Sequence, residues 1–223
     1  MRASVIVPVF NERDTVEHLI DVVKAVPVEK EIIVVDDFST DGTRDKLPGL
    51  TGVRVMYHDV NRGKGAAIRT GIVAATGDVI IIQDADLEYD PNEYPKLLAP
   101  FADHEVQAVF GSRFKGGGEF LFLSRMANLF LTFMTRVLFG GRISDMETCY
   151  KVVRRELMLS LKLVSNRFEI EPEITTKLLK RKVKLVEVPI TYHARKAHEG
   201  KKIGVKDGIQ AVRELIRWRF DRS

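Results

Sequence analysis

Cysteine is almost absent from this sequence of 223 residues. The single cysteine, Cys149, excludes an intramolecular disulfide framework and any cysteine-rich zinc module. Long hydrophobic runs are also absent: the longest candidate, 120–139, is interrupted by Arg125 and Arg136, so we expect no segment that spans a bilayer. We expect no signal peptide, because polar residues end the short apolar run that follows Arg2. Hydrophobic residues at 45% and charged residues at 30% exclude a disordered chain.

Positive charge is concentrated in one part of the chain. Lys and Arg number 35 and Asp and Glu 31, a formal net charge of +4. Residues 193–223 contain 9 basic and 4 acidic side chains, so the excess lies in the C-terminal tail. A basic tail favours anionic partners such as phosphates or an acidic membrane surface, although a solvated helix face has the same composition. We expect no nucleic-acid partner, because the sequence contains no recognition motif for one.

Apolar strands alternate with helices along most of the chain. The predicted strands are 4–9, 31–35, 53–57, 78–82, 106–111, 148–153 and 183–191. The predicted helices are 13–26, 63–75, 91–101, 120–139, 171–182 and 205–220. This alternation indicates an α/β fold in which a mostly parallel, Rossmann-like sheet carries helices on both faces. No repeat, low-complexity tract or linker divides the sequence, which therefore predicts a single domain.

Acidic residues follow three of the predicted strands. Glu12 comes after the first strand, Asp36 and Asp37 after the second, and Asp84 and Asp86 after the fourth. Ligands of parallel sheets bind where the carboxyl ends of the strands meet. Carboxylates gathered there repel one another unless a cation or a donor-rich ligand lies among them, although an Asp after a strand is also a common helix cap. The sequence predicts Mg²⁺ or Mn²⁺ there, and the lack of a His and Cys cluster argues against structural zinc.

Five motifs, in this order, resemble those of the family 2 glycosyltransferases, which have the GT-A fold. They are SVIVPVFNE at 4–12, VVDDFSTDGT at 34–43, NRGKGAAIRTG at 61–71, DADLEYDP at 84–91 and GSRF at 111–114. Two later segments, LSRMANLF at 123–130 and SDMETCYKV at 144–152, resemble the branch of dolichol-phosphate mannose synthases and bacterial polyprenyl-phosphate glycosyltransferases. The resemblance implies one catalytic domain over 1–223, with a nucleotide-sugar half at about 1–112 and an acceptor half with the basic tail at about 113–223.

The resemblance implies a nucleotide-sugar site and a metal site. The residues implied to bind a GDP- or UDP-sugar donor are Pro8, Asn11, Glu12, Asp37, Lys64, Asp84, Ala85, Asp86, Arg195 and Lys201. Those implied to hold Mg²⁺ or Mn²⁺ against the donor diphosphate are Asp84, Asp86 and Glu88. Asp37 would receive the edge of the base. Glu88 stands where many dolichol-phosphate mannose synthases have Gln, so the identity of the sugar stays open.

The resemblance also implies an inverting transfer, in which the acceptor attacks the sugar from the face opposite the leaving nucleotide. The implied catalytic residues are Asp86, Arg113, Arg125 and Asp145. If the acceptor is a polyprenyl (dolichyl-type) phosphate, Arg113 and Arg125 would hold its anionic oxygens. If the acceptor is a sugar hydroxyl, a base is required, and Asp145 is the candidate.

Two other functional classes are alternatives to a glycosyltransferase. A sugar-phosphate nucleotidyltransferase has a related fold but usually a glycine-rich loop after its first strand, where this chain has FNERDT. A nucleotide-sugar-binding subunit without turnover does not require Asp84 and Asp86 together with two arginines.

We expect the protein to be in the cytoplasm or on the cytoplasmic face of a membrane. It would bind the membrane either directly or through a membrane partner subunit. The candidate docking elements are 120–139 and the tail helix with Arg213, Arg217, Arg219 and Arg222.

Overall fold

Seven strands form one sheet within residues 1–118, 120–194 and 205–220, which the computed structural model describes. They are β1 Ala3–Val9, β2 Lys30–Asp36, β3 Arg54–Tyr57, β4 Val79–Ile82, β5 Ala108–Ser112, β6 Lys151–Arg154 and β7 Leu185–Pro189. The central strands are short apolar runs whose side chains are buried on both faces, as expected for a sheet covered on both sides. The predicted α/β fold is confirmed.

Helices flank the sheet. They are α1 Val16–Ala25, α2 Thr43–Lys46, α3 Lys64–Ala74, α4 Tyr94–Leu98, α5 Arg113–Gly116, α6 Phe122–Phe139, α7 Arg155–Ser160, α8 Ile170–Lys180 and α9 Val205–Phe220. In α1 the residues Val16, Leu19, Ile20 and Val23 recur at helical spacing, and all four are buried. The predicted helix 91–101 is instead α4 between two 3₁₀ turns, because Pro95 and Pro100 lack the N–H groups that a continuous helix needs.

The strand order places a binding crevice at the middle of the sheet. The order is β3-β2-β1-β4-β6-β5-β7, and every neighbouring pair is parallel except those of β6, which is antiparallel to β4 and β5. The chain builds outward from β1 to β3 and then returns to the other side of β1 with β4. Such a reversal leaves a crevice beyond the carboxyl ends of the two central strands. The segments that follow β1 and β4 carry Glu12 and Asp84, so both acidic residues lie at this point.

A second, smaller hydrophobic cluster joins α6, α8 and α9. Its buried members are Leu131, Ile143, Met146, Ala211 and Leu215. The opposite side of α6 is the exposed face of α6, which consists of Phe122, Leu123, Met126, Leu129, Phe130, Phe133 and Val137, each 41% to 80% exposed. Within the described parts of the chain, no helix combines the length and the apolar character needed to cross a membrane.

Candidate functional site

The loops that follow β1 and β2 are bound to each other. The backbone N–H of Asn11 donates to Ser39 Oγ at 2.9 Å, and Asn11 Oδ1 accepts from the N–H of Thr40 at 2.9 Å. The N–H of Glu12 donates to Thr43 Oγ1 at 3.0 Å. Asn11 has a φ of 53°, a left-handed conformation that asparagine adopts more readily than most residues. Two residues that the sequence assigns to donor binding therefore lie on a well-braced rim of the crevice.

Asp37, which follows β2, fixes the turn that opens α3. Its Oδ1 accepts from the N–H of Arg62 at 2.8 Å and lies 2.7 Å from His58 Nδ1. Its Oδ2 accepts from the N–H of Gly63 at 2.6 Å. The side chain is buried, so these contacts hold the turn independently of any ligand. Binding of the base edge by Asp37 stays a prediction, and the structure gives the residue this bracing role in addition.

Asp36 binds Arg44, whose guanidinium lies over two aromatic rings. The sequence did not predict this arrangement. Arg44 Nε lies 2.5 Å from Asp36 Oδ2, and the guanidinium carbon is 5.1 Å from the ring centroid of Phe38 and 5.3 Å from that of Tyr57. Both rings are more than one-third exposed. The spacing of these residues follows no local rule, because the contacts join α2 to two strands and a loop.

Lys64 is the centre of a charged cluster at the carboxyl end of β4. Its Nζ lies 2.7 Å from Asp84 Oδ1 and 3.3 Å from Glu171 Oε1. Burial by itself lowers the pKa of Lys64, but the negative charges of Asp84 and Glu171 outweigh burial and hold that pKa well above its usual value. The ammonium group is therefore charged at neutral pH and lies beside a carboxylate that the sequence assigns to the metal.

Two glycines allow Lys64 to reach this position. A Cβ on Gly63 would lie 2.4 Å from the carbonyl oxygen of Asn166, and a Cβ on Gly65 would lie 2.6 Å from that of Ser165. The start of α3 thus packs directly on the backbone that leads into α8. Only residues without a side chain permit this approach, which brings Lys64 and Glu171 together.

The segment after β4 presents Asp84, Asp86 and Glu88. Asp86 Oδ1 accepts from the N–H of Glu88 at 3.2 Å, and the hydroxyl of Tyr192 donates to Glu88 Oε2 at 2.8 Å. Burial, followed by the charge of Glu88, raises the pKa of Tyr192, which keeps its hydroxyl a donor. Between Asp84 and Asp86, Ala85 is buried.

The carboxylates fit a divalent cation that completes its shell with substrate oxygens. In the described part of the chain, no group of three or more His, Cys, Asp or Glu side chains is assembled as a metal site. Mg²⁺ typically takes only one or two protein carboxylates together with waters and substrate phosphates. Asp84 and Asp86, both partly exposed at the crevice, supply such a pair, whereas Glu88 is held by Tyr192. Assignment of all three residues to the metal stays a prediction.

Arg113, at the carboxyl end of β5, forms a buried ion pair with Asp145. The guanidinium donates from Nε to Asp145 Oδ2 at 2.8 Å and from Nη2 to Oδ1 at 2.7 Å. The backbone N–H of Arg113 also donates to Oδ2, at 3.0 Å. The rings of Tyr89, Phe120 and Tyr192 surround the guanidinium at 5.0 Å to 6.0 Å. Nη1 makes no hydrogen bond within the described residues, so part of the guanidinium remains available to an anion.

This pairing bears on two predicted catalytic residues. Asp145 is fully buried and accepts three hydrogen bonds from Arg113, which stands against its use as a base. The role of Asp145 as a base stays a prediction without support from its surroundings. Arg125 is exposed on α6 and makes no ion pair with any residue that the structure describes.

Sequence reasoning also missed a buried pair behind the crevice. Lys151 Nζ contacts Glu171 Oε2 and the carbonyl oxygen of Thr148, and it is fully buried. Glu147 lies in the same cluster, and its Oε1 is buried without a hydrogen-bond partner within the described residues. The motif SDMETCYKV carries Glu147 and Lys151 but not Glu171, so the sequence alone does not reveal the cluster.

Three further predicted residues, Arg195, Lys201 and Arg222, lie outside the described residues. The chain that leads toward the first two is tied to the crevice, because the backbone N–H of His193 donates to the carbonyl oxygen of Glu88 at 3.1 Å. Pro8 is partly exposed within β1, next to the crevice.

Comparison with protein families gives one match over most of the chain. The model described as Glycosyl transferase family 2 matches residues 4–161. A dolichol-phosphate mannosyltransferase of Pyrococcus furiosus is 30% identical over 98% of this chain and 64% of its own length. A dodecaprenyl-phosphate galacturonate synthase of Rhizobium johnstonii is 28% identical over 97% of this chain and 66% of its own. This chain thus spans less than two thirds of those two relatives. A polyprenol monophosphomannose synthase of Mycolicibacterium smegmatis is 30% identical over 100% of this chain and 90% of its own.

Solved structures show the same fold. Glucosyl-3-phosphoglycerate synthase of Mycobacterium tuberculosis, crystallised with Mn²⁺, uridine diphosphate and phosphoglyceric acid, superimposes with a TM-score of 0.78. The alignment covers 99% of this chain and 79% of that one at 20% identity. The same enzyme with Mg²⁺ and uridine diphosphate gives a TM-score of 0.77. At this identity the likeness concerns the fold.

Proposed function

Because the chain belongs to glycosyl transferase family 2, we propose that it is an inverting, metal-dependent glycosyltransferase that moves a sugar from a nucleotide diphosphate to a polyprenyl phosphate. The observation that carries the proposal is the position of Asp84 and Asp86 at the reversal of strand order, beside the charged Lys64. The relatives named for polyprenyl phosphates and dolichol phosphate support the choice of acceptor. A nucleotidyltransferase and a non-catalytic subunit are not favoured.

The donor would bind in the crevice between the ends of β1, β2 and β4. Asp84 and Asp86 would hold Mg²⁺ or Mn²⁺, which neutralises the charge that develops on the leaving diphosphate. Lys64 would add a positive charge on the same side. The other proposed donor contacts are Pro8, Asn11, Glu12, Asp37, Ala85, Arg195 and Lys201. In this proposal about 1–112 bind the donor and about 113–223 bind the acceptor. The nucleotide would be GDP or UDP.

The acceptor would lie on the side of Arg113 and Arg125. A phosphate monoester is anionic near neutral pH, so its oxygen attacks the sugar without a strong base, and it needs cations to hold it. Nη1 of Arg113 would provide hydrogen bonds while Asp145 keeps the guanidinium oriented. Arg125 would supply a second charge from the surface of α6.

A polyprenyl phosphate resides in a bilayer, so we propose that the exposed face of α6 contacts the membrane. Exposed apolar side chains of this extent on a protein surface indicate an interaction site. The helix contains Arg125 and Arg136 and no acidic residue, which suits an anionic lipid surface. Such contact would make the protein peripheral to the membrane, either alone or together with a membrane partner subunit.

The donor and metal sites are tested by ligand-dependent thermal stability. With GDP or UDP at about 100 times its Kd and with Mn²⁺, stability should rise by about 2.7 kcal/mol, or roughly 5–11 °C in Tm. Asp86→Ala should abolish the Mn²⁺-dependent part. Asp84→Ala should weaken it, because Lys64 already neutralises some of the Asp84 charge. The exposed Asp21→Ala on α1 serves as the control and should behave as wild type. Full Mn²⁺-dependent stabilisation in either site variant would contradict the metal assignment.

Membrane contact is tested by cosedimentation with anionic and zwitterionic liposomes. Replacement of Phe122, Phe130 and Phe133 by serine should abolish binding to both. Replacement of the tail arginines Arg213, Arg217 and Arg219 by glutamine should weaken binding to anionic liposomes by on the order of 100-fold, at about 1 kcal/mol per cation. Val73→Ser, an exposed apolar position on α3, is the matched control. No binding of the wild type at low salt would contradict direct membrane contact and leave recruitment by a partner subunit.

A further inference from the structure

Glu147 is close to two ion pairs, Lys151 with Glu171 and Arg113 with Asp145. The charged residues that face it are Lys151 on β6, Glu171 on α8, Arg113 on α5 and Asp145 in its own segment. Glu171 forms an ion pair with Lys64, which also pairs with Asp84 on the proposed donor side. Asp145 forms an ion pair with Arg113 on the proposed acceptor side. The residue is partly exposed, yet its Oε1 is buried and makes no hydrogen bond within the described residues.

The neighbouring cations do not neutralise Glu147, because each is paired with another carboxylate. Lys151 Nζ contacts Glu171 Oε2, and Arg113 donates two side-chain hydrogen bonds to Asp145. An ionised carboxylate in such a place would lack the donors that normally stabilise it, so the neutral acid is favoured. Burial, opposed by Lys151 and reinforced by Glu171, raises the pKa of Glu147 to about 7.

A neutral carboxyl has a hydrogen to donate, and nothing in the described chain accepts it. Glu147 follows Asp145, the carboxylate that Arg113 binds, by two residues, and Arg113 is among the charged groups that act on Glu147. The guanidinium is always a hydrogen-bond donor, whereas the Glu147 carboxyl is a donor in its protonated form, which is about half of the molecules at pH 7. The guanidinium of Arg113 and the protonated carboxyl of Glu147 together supply two hydrogen-bond donors and one positive charge, which suits a group that carries several anionic acceptor oxygens. A phosphate monoester, which has three such oxygens, is the group of this kind in the proposed reaction.

We propose that Glu147 is an acceptor-binding residue that donates a hydrogen bond from its carboxyl group to a phosphate oxygen of the acceptor. This proposal rests on the proposed function. One phosphate oxygen would face Arg113 Nη1, another would face Glu147, and the third would attack the sugar. When Glu147 ionises, its carboxylate loses the donor and repels the phosphate dianion, so the acceptor no longer binds.

The sign of the pH dependence follows from this contact. Protonated Glu147 binds the acceptor, and ionised Glu147 does not. For a group that titrates at about 7, the binding-competent fraction falls about 25-fold between pH 6.5 and pH 8.5, and the apparent KM for the acceptor rises by the same factor. The phosphate itself opposes this trend only slightly, because its second pKa is about 6 and the dianion already predominates at pH 6.5.

The experiment measures KM and kcat for farnesyl phosphate, a short polyprenyl phosphate that stays in solution, from pH 6.5 to pH 8.5. The wild type should show the rise of about 25-fold in KM with kcat changed much less. Glu147→Gln keeps a neutral donor at every pH, so its KM should vary less than about twofold and should stay near the wild-type value at pH 6.5. Glu156→Gln, an exposed glutamate on α7, is the matched control and should follow the wild type.

Three results would overturn the proposal. A wild-type KM that is flat over this range does so even if Glu147→Gln fails to fold. A pH dependence of KM in Glu147→Gln equal to that of the wild type would also overturn the proposal. A kcat for this variant that is lower by about two orders of magnitude or more at every pH would overturn it as well, because such a loss indicates a general base. If the wild type forms product from a sugar hydroxyl and none from farnesyl phosphate, the proposed acceptor is wrong as well. That result is distinct, because product formation by the wild type is measured before any variant.

Discussion

Removal of the Arg113 guanidinium should destabilise the fold, apart from any effect on the acceptor. Arg113→Met retains part of the packing against Tyr89, Phe120 and Tyr192. It deletes both side-chain hydrogen bonds to Asp145 and leaves only the one from the backbone N–H at 3.0 Å. Because Asp145 is fully buried, its carboxylate would then lie away from water and without a cationic partner among the described residues.

The expected loss is large for a single substitution. When one partner of a buried ion pair is removed, the other is left as an uncompensated charge, at a cost of about 3–5 kcal/mol. For a chain of this length each kcal/mol lowers Tm by about 2–4 °C, so Arg113→Met should melt about 6–20 °C below the wild type. Arg125→Met, at an exposed position without an ion pair to any described residue, should change stability by less than about 0.5 kcal/mol.

A double-mutant cycle in urea separates the pair from the packing. The four proteins are the wild type, Arg113→Met, Asp145→Leu and the double variant, and the free energy of unfolding is read from far-ultraviolet circular dichroism. The double variant buries no lone charge, so it should be more stable than the sum of the two single losses predicts, by at least about 1 kcal/mol. A loss below about 1 kcal/mol for Arg113→Met, or additive losses in the cycle, would refute the buried-pair argument. Any loss of transfer activity in Arg113 variants has to be compared with this loss of stability.

Two further predictions concern the framework of the site. Gly65→Ala should cost about 1–3 kcal/mol, because its Cβ would lie 2.6 Å from the backbone oxygen of Ser165, whereas Gly49→Ala, with open space around it, should be nearly neutral in the same thermal melt. Glu31→Gln should lower stability at pH 7 by about 1 kcal/mol, because the carboxylate accepts from the hydroxyl of Ser4 and from Thr76 and Gly77, and these bonds outweigh burial and lower the pKa of Glu31. That contribution is present above the unfolded-state pKa and is lost as pH falls through the lower folded pKa. Unfolding curves of the two proteins should therefore converge in acid, and a constant gap from pH 7 to pH 3 would contradict the assignment.

The sheet and the acidic rim could be predicted from the sequence because both depend on local patterns. The strands follow apolar or alternating runs, and all seven of them lie where these runs predict, within a few residues at each end. Asp84 and Asp86 follow such a run directly, so their position at the edge of the sheet needs only the direction of the strand. The antiparallel insertion of β6 between β4 and β5 has no local signal, because it depends on which strand edge the returning chain meets.

The sequence could not predict which charged residues pair with one another. The sequence identifies Asp37, Lys64 and Asp145 as charged residues near the site, and the structure gives each a partner far along the chain. Asp37 meets His58, Lys64 meets Glu171, and Asp145 meets Arg113. A charged side chain at the crevice can reach several oppositely charged residues, and the packing of the surrounding elements determines which of them it contacts. Glu147 differs from its neighbours only because Lys151 and Arg113 are already engaged, and neither spacing nor composition reveals this.

The position of Arg113 links the proposed acceptor site to the proposed membrane surface. Its guanidinium carbon lies 5.6 Å from the ring centroid of Phe120, which stacks on Phe114 at 4.8 Å, and α6 begins two residues later at Phe122. A phosphate held at Arg113 would therefore lie close to the start of the exposed face of α6. An attached polyprenyl chain could pass from the phosphate to that apolar face without crossing the polar crevice where the donor would bind. One helix would then serve both to place the protein on the bilayer and to direct the lipid toward its phosphate site, so serine at Phe122 should impair transfer to a membrane-bound acceptor more than transfer to farnesyl phosphate in solution. Equal losses with the two acceptors would show that the helix has no part in guiding the lipid.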